Sequence, residues 1–179
     1  MPLLTLLLAS VAGCGPLAQS TVPDAILLSP ASLGRTVYAM QQIEAEYDGQ
    51  SWVMQGALEV APQALRLVGL TALGQRLITL RWDGVKLFEE RDSHLPERVQ
   101  GERILSDLQL VYWPERALRD GLSAAWRLEV RDGLRVLFYD DKPFINIRCT
   151  GADPWQGRCV FEHVRYGYRL TLDSALDQP

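Results

Sequence analysis

Three Asp-Gly pairs, Asp48-Gly49, Asp83-Gly84 and Asp132-Gly133, each stand between runs in which apolar and polar residues alternate. A two-residue turn of this composition takes up the left-handed backbone that joins antiparallel strands, so the pairs commit much of the chain to hairpins. Around the first, Ile43, Ala45 and Tyr47 alternate with Glu44 and Glu46, and Trp52, Met54, Gly56, Leu58 and Val60 continue the period beyond it. Ala61-Pro62-Gln63 turns the chain into 65–70, and 77–82 and 85–90 follow across the second pair. Five consecutive antiparallel strands are predicted.

The period then changes. Ile104, Leu105, Leu108, Val111 and Tyr112 recur at three- and four-residue steps, which predicts a helix of about three turns. Pro114 ends it, and 115–122 form a second short helix with Gly121 near its end. Strands resume over 125–130, 134–139, 144–149 and 159–172. The fold class is mainly β with a small α insert: nine or ten antiparallel strands in one curved sheet, an incomplete barrel covered by short helices. Glu89-Glu90 and Asp140-Asp141 read as solvated hairpin ends, because neighbours on a strand point to opposite faces and do not pair as acid and base.

No charged residue occurs among the first 23 positions, and the apolar run over 3–12 leads into Gly13-Cys14-Gly15-Pro16. The run is too short to span a bilayer, which takes about 20 residues. An apolar stretch closed by small residues reads as an export signal, and Val11-Ala12-Gly13-Cys14 resembles the lipobox of bacterial lipoproteins. That resemblance implies a signal peptide over 1–13, lipidation of Cys14 and anchoring by acyl chains. With no aspartate after the cysteine, it implies an outer-membrane protein facing the periplasm. Residues 14–33, with prolines at 16, 23 and 30, read as a lipidated tether, and 34–179 as a single domain. Ile26-Leu27-Leu28 is an apolar triplet that either belongs to the tether or docks on the domain. In an oxidising compartment Cys149 and Cys159, which bracket a short loop, are expected to form a disulfide. The net charge of −4 gives no general basic footprint for nucleic acid.

Catalytic motifs are missing: there is no G-x-S-x-G, P-loop, G-x-G-x-x-G or H-E-x-x-H. His94 and His163 are far apart and lack a ligand cluster, so they read as surface or core residues rather than metal ligands. No enzyme, metal or cofactor is expected. The apolar strand positions Trp52, Met54, Leu58, Leu67, Leu77, Leu87, Trp126, Phe138, Ile145 and Tyr168 either fill the concavity of the sheet or line a cavity for a hydrophobic ligand.

The run from Leu65 through Thr71-Ala72-Leu73-Gly74 to Leu80, followed by Asp83-Gly84, resembles the third-to-fifth-strand region of the LolB-like outer-membrane lipoproteins. More narrowly, Leu73-Gly74-Gln75-Arg76, Asp107-Leu108-Gln109-Leu110 and Trp113-Pro114 resemble an uncharacterised proteobacterial lipoprotein family found near aryl-polyene biosynthesis genes. The LolB-like resemblance implies a half-barrel whose apolar cavity holds acyl chains, envelope transport proteins as partners, and a protruding leucine between the third and fourth strands that assists transfer to the membrane. Leu73 falls at that position, with Ala72 where those proteins carry a proline, or else it covers the barrel end.

Two functions follow as expectations. One is binding and transfer of an acyl or polyene-like ligand, with Gly101, Gly121 and the loop before Pro96 as hinges of a helical lid. The other is a structural or assembly lipoprotein with a filled core, using Trp155 and the Trp113-Pro114 corner as protein contacts.

Overall fold

The computed structural model describes residues 25–177; the expected signal peptide over 1–13 and Cys14 lie outside the described residues. Ten strands form one antiparallel sheet that does not close: β1 (Val37–Tyr47), β2 (Gln50–Ala61), β3 (Ala64–Leu70), β4 (Arg76–Trp82), β5 (Leu87–Arg91), β6 (Trp126–Arg131), β7 (Leu134–Tyr139), β8 (Lys142–Cys149), β9 (Gly157–His163) and β10 (Tyr168–Leu176). Their order is β5-β4-β3-β2-β1-β10-β9-β8-β7-β6, so the first and last strands pair at the centre of the sheet, from Ala39 opposite Leu176 to Tyr47 opposite Tyr168. Helices α1 (Gly101–Tyr112) and α2 (Glu115–Gly121) come between β5 and β6, the two edge strands.

The turns carry the logic of the hairpins. Asp48-Gly49 and Asp132-Gly133 have positive φ at both residues (51° and 70°, 50° and 74°), as a two-residue hairpin turn requires. Asp140-Asp141 makes a third such turn with φ of 47° and 59°, on a residue type that tolerates this region. Asp83-Gly84 behaves differently. Its Asp83 Oδ1 accepts from the backbone N–H of Val85 and Lys86, which draws four residues into the turn and delays β5 to Leu87. The expected strand over 159–172 is two strands. Its buried positions are odd in β9 (Cys159, Phe161, His163) and even in β10 from Leu172, and the change of parity is absorbed by a turn with Gly167 at φ 66°.

The tether reading also needs correction from residue 26 onward. Ile26 N–H donates to Ser106 Oγ (2.9 Å), and the buried Gln109 amide clasps Leu28 from both sides, accepting from its N–H (2.7 Å) and donating to its carbonyl (2.9 Å). Trp82 Nε1 donates to the same carbonyl, and Leu28 and Leu33 join the core. Gly121 leaves the space that the Leu28 side chain occupies, and a Cβ on Gly101 would collide with Leu80 and Glu89. Both glycines are places of close approach between packed segments. Glu89, expected to be merely solvated, accepts from Gly101 N–H at the start of α1 (3.2 Å), where a carboxylate also opposes the helix dipole favourably. At the other end of α1, Arg135 Nη1 donates to the carbonyls of Leu110, Val111 and Trp113, all at 3.0 Å.

Trp113 and Trp155 are core residues, not surface contacts. Trp113 is fully buried at the α1–α2 corner, and Trp155 stacks on Tyr112 with ring centroids 4.3 Å apart. Trp155 is folded inward by the loop that the Cys149–Cys159 disulfide closes, across directly opposed positions of β8 and β9. Closing a loop of this size removes unfolded-state entropy worth about 2.5–3 kcal/mol. Replacing both cysteines by serine should therefore lower Tm by about 5–10 °C for a domain of this size, read by calorimetry; an unchanged Tm would show that the loop is held by packing alone.

Candidate functional site

The concave face of the sheet is occupied unevenly. One part is packed solid by α1, α2 and the Leu28–Leu33 segment, with Leu58, Trp126 and Ile145 buried there in the core. In the other part, between α1 and strands β1, β2, β3 and β10, lies a cavity of about 780 Å³. Its walls are Ile43 and Ala45 of β1, Trp52 and Met54 of β2, Leu67 of β3, Leu77 of β4, Leu170 and Leu172 of β10, and Ile104, Leu108 and Val111 of α1. Strand alternation places these side chains inward except Leu77, which is off the parity of the buried Ile78 and Leu80 and falls at the irregularity in the β3–β4 register, and the helical stripe at 104, 108 and 111 faces them. Gly56 and Gly69 oppose each other across β2 and β3 on this face; Gly56 adds no side chain to the cavity, whereas the place of a Cβ on Gly69 is already taken by Met54 and Ile78, 2.7 and 2.8 Å away.

Of the ten positions expected to line a cavity, Trp52, Met54, Leu67, Leu77 and Tyr168 do so. The other five are elsewhere. Leu58, Trp126 and Ile145 share the concave face but sit in its packed part. Phe138 is under the Arg127 guanidinium, 4.0 Å from its ring centroid, and Leu87 is a partly buried residue of edge strand β5. Periodicity identifies a face of a sheet but not which end of that face the helices will cover.

At the rim, Arg98 of the segment between β5 and α1 lies over the rings of Tyr47 (5.5 Å) and Trp52 (5.4 Å), tying that segment to the β1–β2 hairpin. His94, paired with Asp92 at 2.6 Å, is exposed beside it. The β3–β4 loop reaches the same end of the molecule through Thr71, whose hydroxyl accepts from Gln75 N–H. Leu73 at its tip is 89% exposed. It covers nothing in the described structure.

One polar cluster interrupts the apolar wall. Arg103 and Asp107, one turn apart on α1, both face the cavity. Tyr168 Oη donates to Asp107 Oδ2 at 2.5 Å, Arg103 Nη1 is 3.4 Å from His163 Nε2, and the Arg103 guanidinium stands 4.4 Å from the Tyr166 ring centroid. Burial pushes the Asp107 carboxyl up to about 7, against the Tyr168 hydrogen bond and the charge of Arg103, which act the other way. Burial, then Arg103, holds His163 down at about 3, so it is a neutral imidazole. The Tyr168 phenol is raised by burial and by Asp107 and stays protonated. The sequence signal for this cluster was a carboxylate at Asp107 among Ile104, Leu108 and Val111, on the helix face otherwise reserved for apolar residues.

Fold and site together define an unclosed antiparallel half-barrel with an apolar cavity under its helical segment. Residues 38–175 match the family described as Protein of unknown function (DUF3261), and the chain belongs to that family. No curated protein matches it. Among the described residues, no helix is long and apolar enough to cross a membrane.

Proposed function

We propose that this chain is an outer-membrane lipoprotein, anchored through Cys14 and facing the periplasm, that binds a hydrophobic acyl or polyene-like ligand and passes it between envelope transport proteins and the membrane, in the manner of LolB-like proteins. The observation that carries the reading is the apolar cavity of about 780 Å³, a size within the roughly 300–1,000 Å³ typical of ligand sites. Each buried methylene contributes about 0.8 kcal/mol, so ten of them supply about 8 kcal/mol before the cost of association is met. Leu73, exposed at the cavity end, is placed to touch a membrane surface or a partner.

The test is to purify the full chain carrying Cys14→Ala, extract it with organic solvent and identify bound lipids by mass spectrometry. A stoichiometric single lipid class is expected. Gly56→Leu should block it: a Cβ on Gly56 meets Ile43 and Leu67 only at ordinary distances of 3.4 and 3.5 Å, so the strand accepts the residue and the rest of the side chain enters the cavity. Ligand recovery should fall by about tenfold or more, with Tm held within about 5 °C. A protein that is reproducibly empty and binds no fluorescent fatty-acid probe would overturn the reading; cross-linking to one envelope protein would then favour an assembly lipoprotein.

A further inference from the structure

The deepest walls of the cavity are nearly shut off from solvent. Ile43, Leu67, Leu108, Val111 and Leu172 all line it, yet each is between 1% and 7% exposed, so a hydrocarbon chain reaches them only if part of the enclosure moves. The helices were the expected lid, and they are pinned. Glu89 holds the Gly101 N–H at one end of α1, Arg135 holds three carbonyls at the other, and Ser106 and Gln109 between them bind the segment that enters from Ile26. Gly101 and Gly121 are packed against Leu80, Glu89 and Leu28, which denies both the freedom of a hinge.

The segment between β5 and α1 is held differently. Its half-buried Leu95, Pro96 and Val99 line the cavity, and its backbone bonds stay on its own side: Leu95 N–H donates to the Asp92 carbonyl (3.1 Å), Val99 N–H to that of Pro96 (2.9 Å), and Arg91 of β5 to the carbonyls of Leu95 and Pro96. Among the described residues no hydrogen bond or ion pair joins 93–99 to β1 or β2 across the opening. What spans it is the Arg98 guanidinium, laid over the rings of Tyr47 and Trp52. We propose that 93–99 is the gate of the cavity and that Arg98, seated on the two rings, is its latch. This rests on the ligand-binding reading above and names the element that admits the ligand. Asp92 N–H on the Leu77 carbonyl (2.8 Å) and Ile104 N–H on the Gln100 carbonyl (3.1 Å) fix the chain on either side of the gate. A cation on exposed rings is a weak contact made by side chains alone, so it releases without breaking a strand ladder or a helix. Leu95 and Val99, returning from water to the cavity wall, draw the gate shut again.

The test reads access to the cavity without any ligand. In the full chain carrying Cys14→Ala, Leu108→Cys places a thiol in the cavity wall, while Cys149 and Cys159 are spent in their disulfide. Adding Arg98→Ala should speed its alkylation by iodoacetamide about fivefold or more. A second reporter, Leu128→Cys in the packed core, should label equally slowly with and without Arg98→Ala, which shows that the opening is local. Ser106→Ala, which frees α1 from Ile26, should leave the Leu108→Cys rate within about twofold. Unchanged alkylation in Arg98→Ala, an equal rise at Leu128→Cys, or a rise with Ser106→Ala as large as with Arg98→Ala would overturn the gate. With a fluorescent fatty-acid probe, Arg98→Ala should raise association and dissociation rates together by about fivefold or more and keep Kd within about twofold. Faster release alone, with lost affinity, would make Arg98 a ligand contact and overturn the latch. No binding of the probe, with the alkylation effect intact, would overturn the ligand reading and leave the gate standing.

Discussion

Trp113→Ala should destabilise the domain by about 3–5 kcal/mol, the largest single loss expected from a side chain in this fold. Trp113 is 0% exposed and belongs to the core cluster at the corner where α1 gives way to α2. Its indole N–H donates to Ser32 Oγ at 2.9 Å, so the ring also pins the segment that leads from Leu28 into β1. The backbone at this position is anchored independently, through Trp113 N–H to the Gln109 carbonyl and Arg135 to the Trp113 carbonyl, so alanine changes the packing rather than the path of the chain. The void left by the indole cannot collapse between two helices held at such a corner. Domains are stable by about 5–15 kcal/mol in total, so the variant should unfold at markedly lower urea. Leu73→Glu is the contrast, a surface change expected within about 0.5 kcal/mol. A Trp113→Ala cost under about 1 kcal/mol would mean that the corner is a surface feature after all.

Local chemistry made the hairpins legible. Asp48-Gly49 and Asp132-Gly133 turn as their composition dictates, and the three- and four-residue spacing of Ile104, Leu108 and Val111 marked α1, because these signals are set by residues within a few positions of each other. Two errors came from competing local interactions. The Asp83 carboxylate captured two backbone N–H groups and shortened β5, and the loss of parity after His163 marked a turn that a nearly continuous apolar alternation concealed. The pairing of β1 with β10 joins residues more than 120 positions apart, and no hairpin signal reports it. The site was legible to the extent that it depends on strand parity. Trp52, Met54, Leu67 and Tyr168 could be assigned to a concave face, but which part of that face stays open is decided by where α1 and the Leu28 clasp lie. Glycine in a strand reads as a weakness of the strand. Here Gly69 is a place of close approach, where Met54 and Ile78 occupy the position of a side chain, and Gly56 borders the cavity without adding a side chain to it.

Asp107→Asn should change how stability depends on pH, and by an amount comparable to a core truncation. In the folded chain Asp107 keeps its proton up to about pH 7, whereas unfolded it ionises at the ordinary value of 3.8. Between these values the folded state binds more protons than the unfolded one, so stability falls as pH rises. At about 1.4 kcal/mol per pH unit, the full loss is up to about 4 kcal/mol above pH 7. His163 works in the opposite direction: folded at about 3 and unfolded at 6.5, it costs stability as pH falls through 6.5 toward 3. Across pH 4 to 6.5 the two slopes nearly cancel, and the unsubstituted protein should show a flat profile in urea melts. Asparagine keeps an acceptor for the Tyr168 hydroxyl but carries no charge, so Asp107→Asn should be more stable than the parent at pH 8 by up to about 4 kcal/mol and should expose the rising His163 slope below pH 6.5. His163→Gln should show the mirror result, a decline from pH 4 to 7. Parallel profiles for the parent and Asp107→Asn would mean that Asp107 ionises as an ordinary surface carboxylate. A gain at pH 8 would instead show that the fold keeps an acid in its cavity at the expense of its own stability, as expected of a group retained for a ligand rather than for packing.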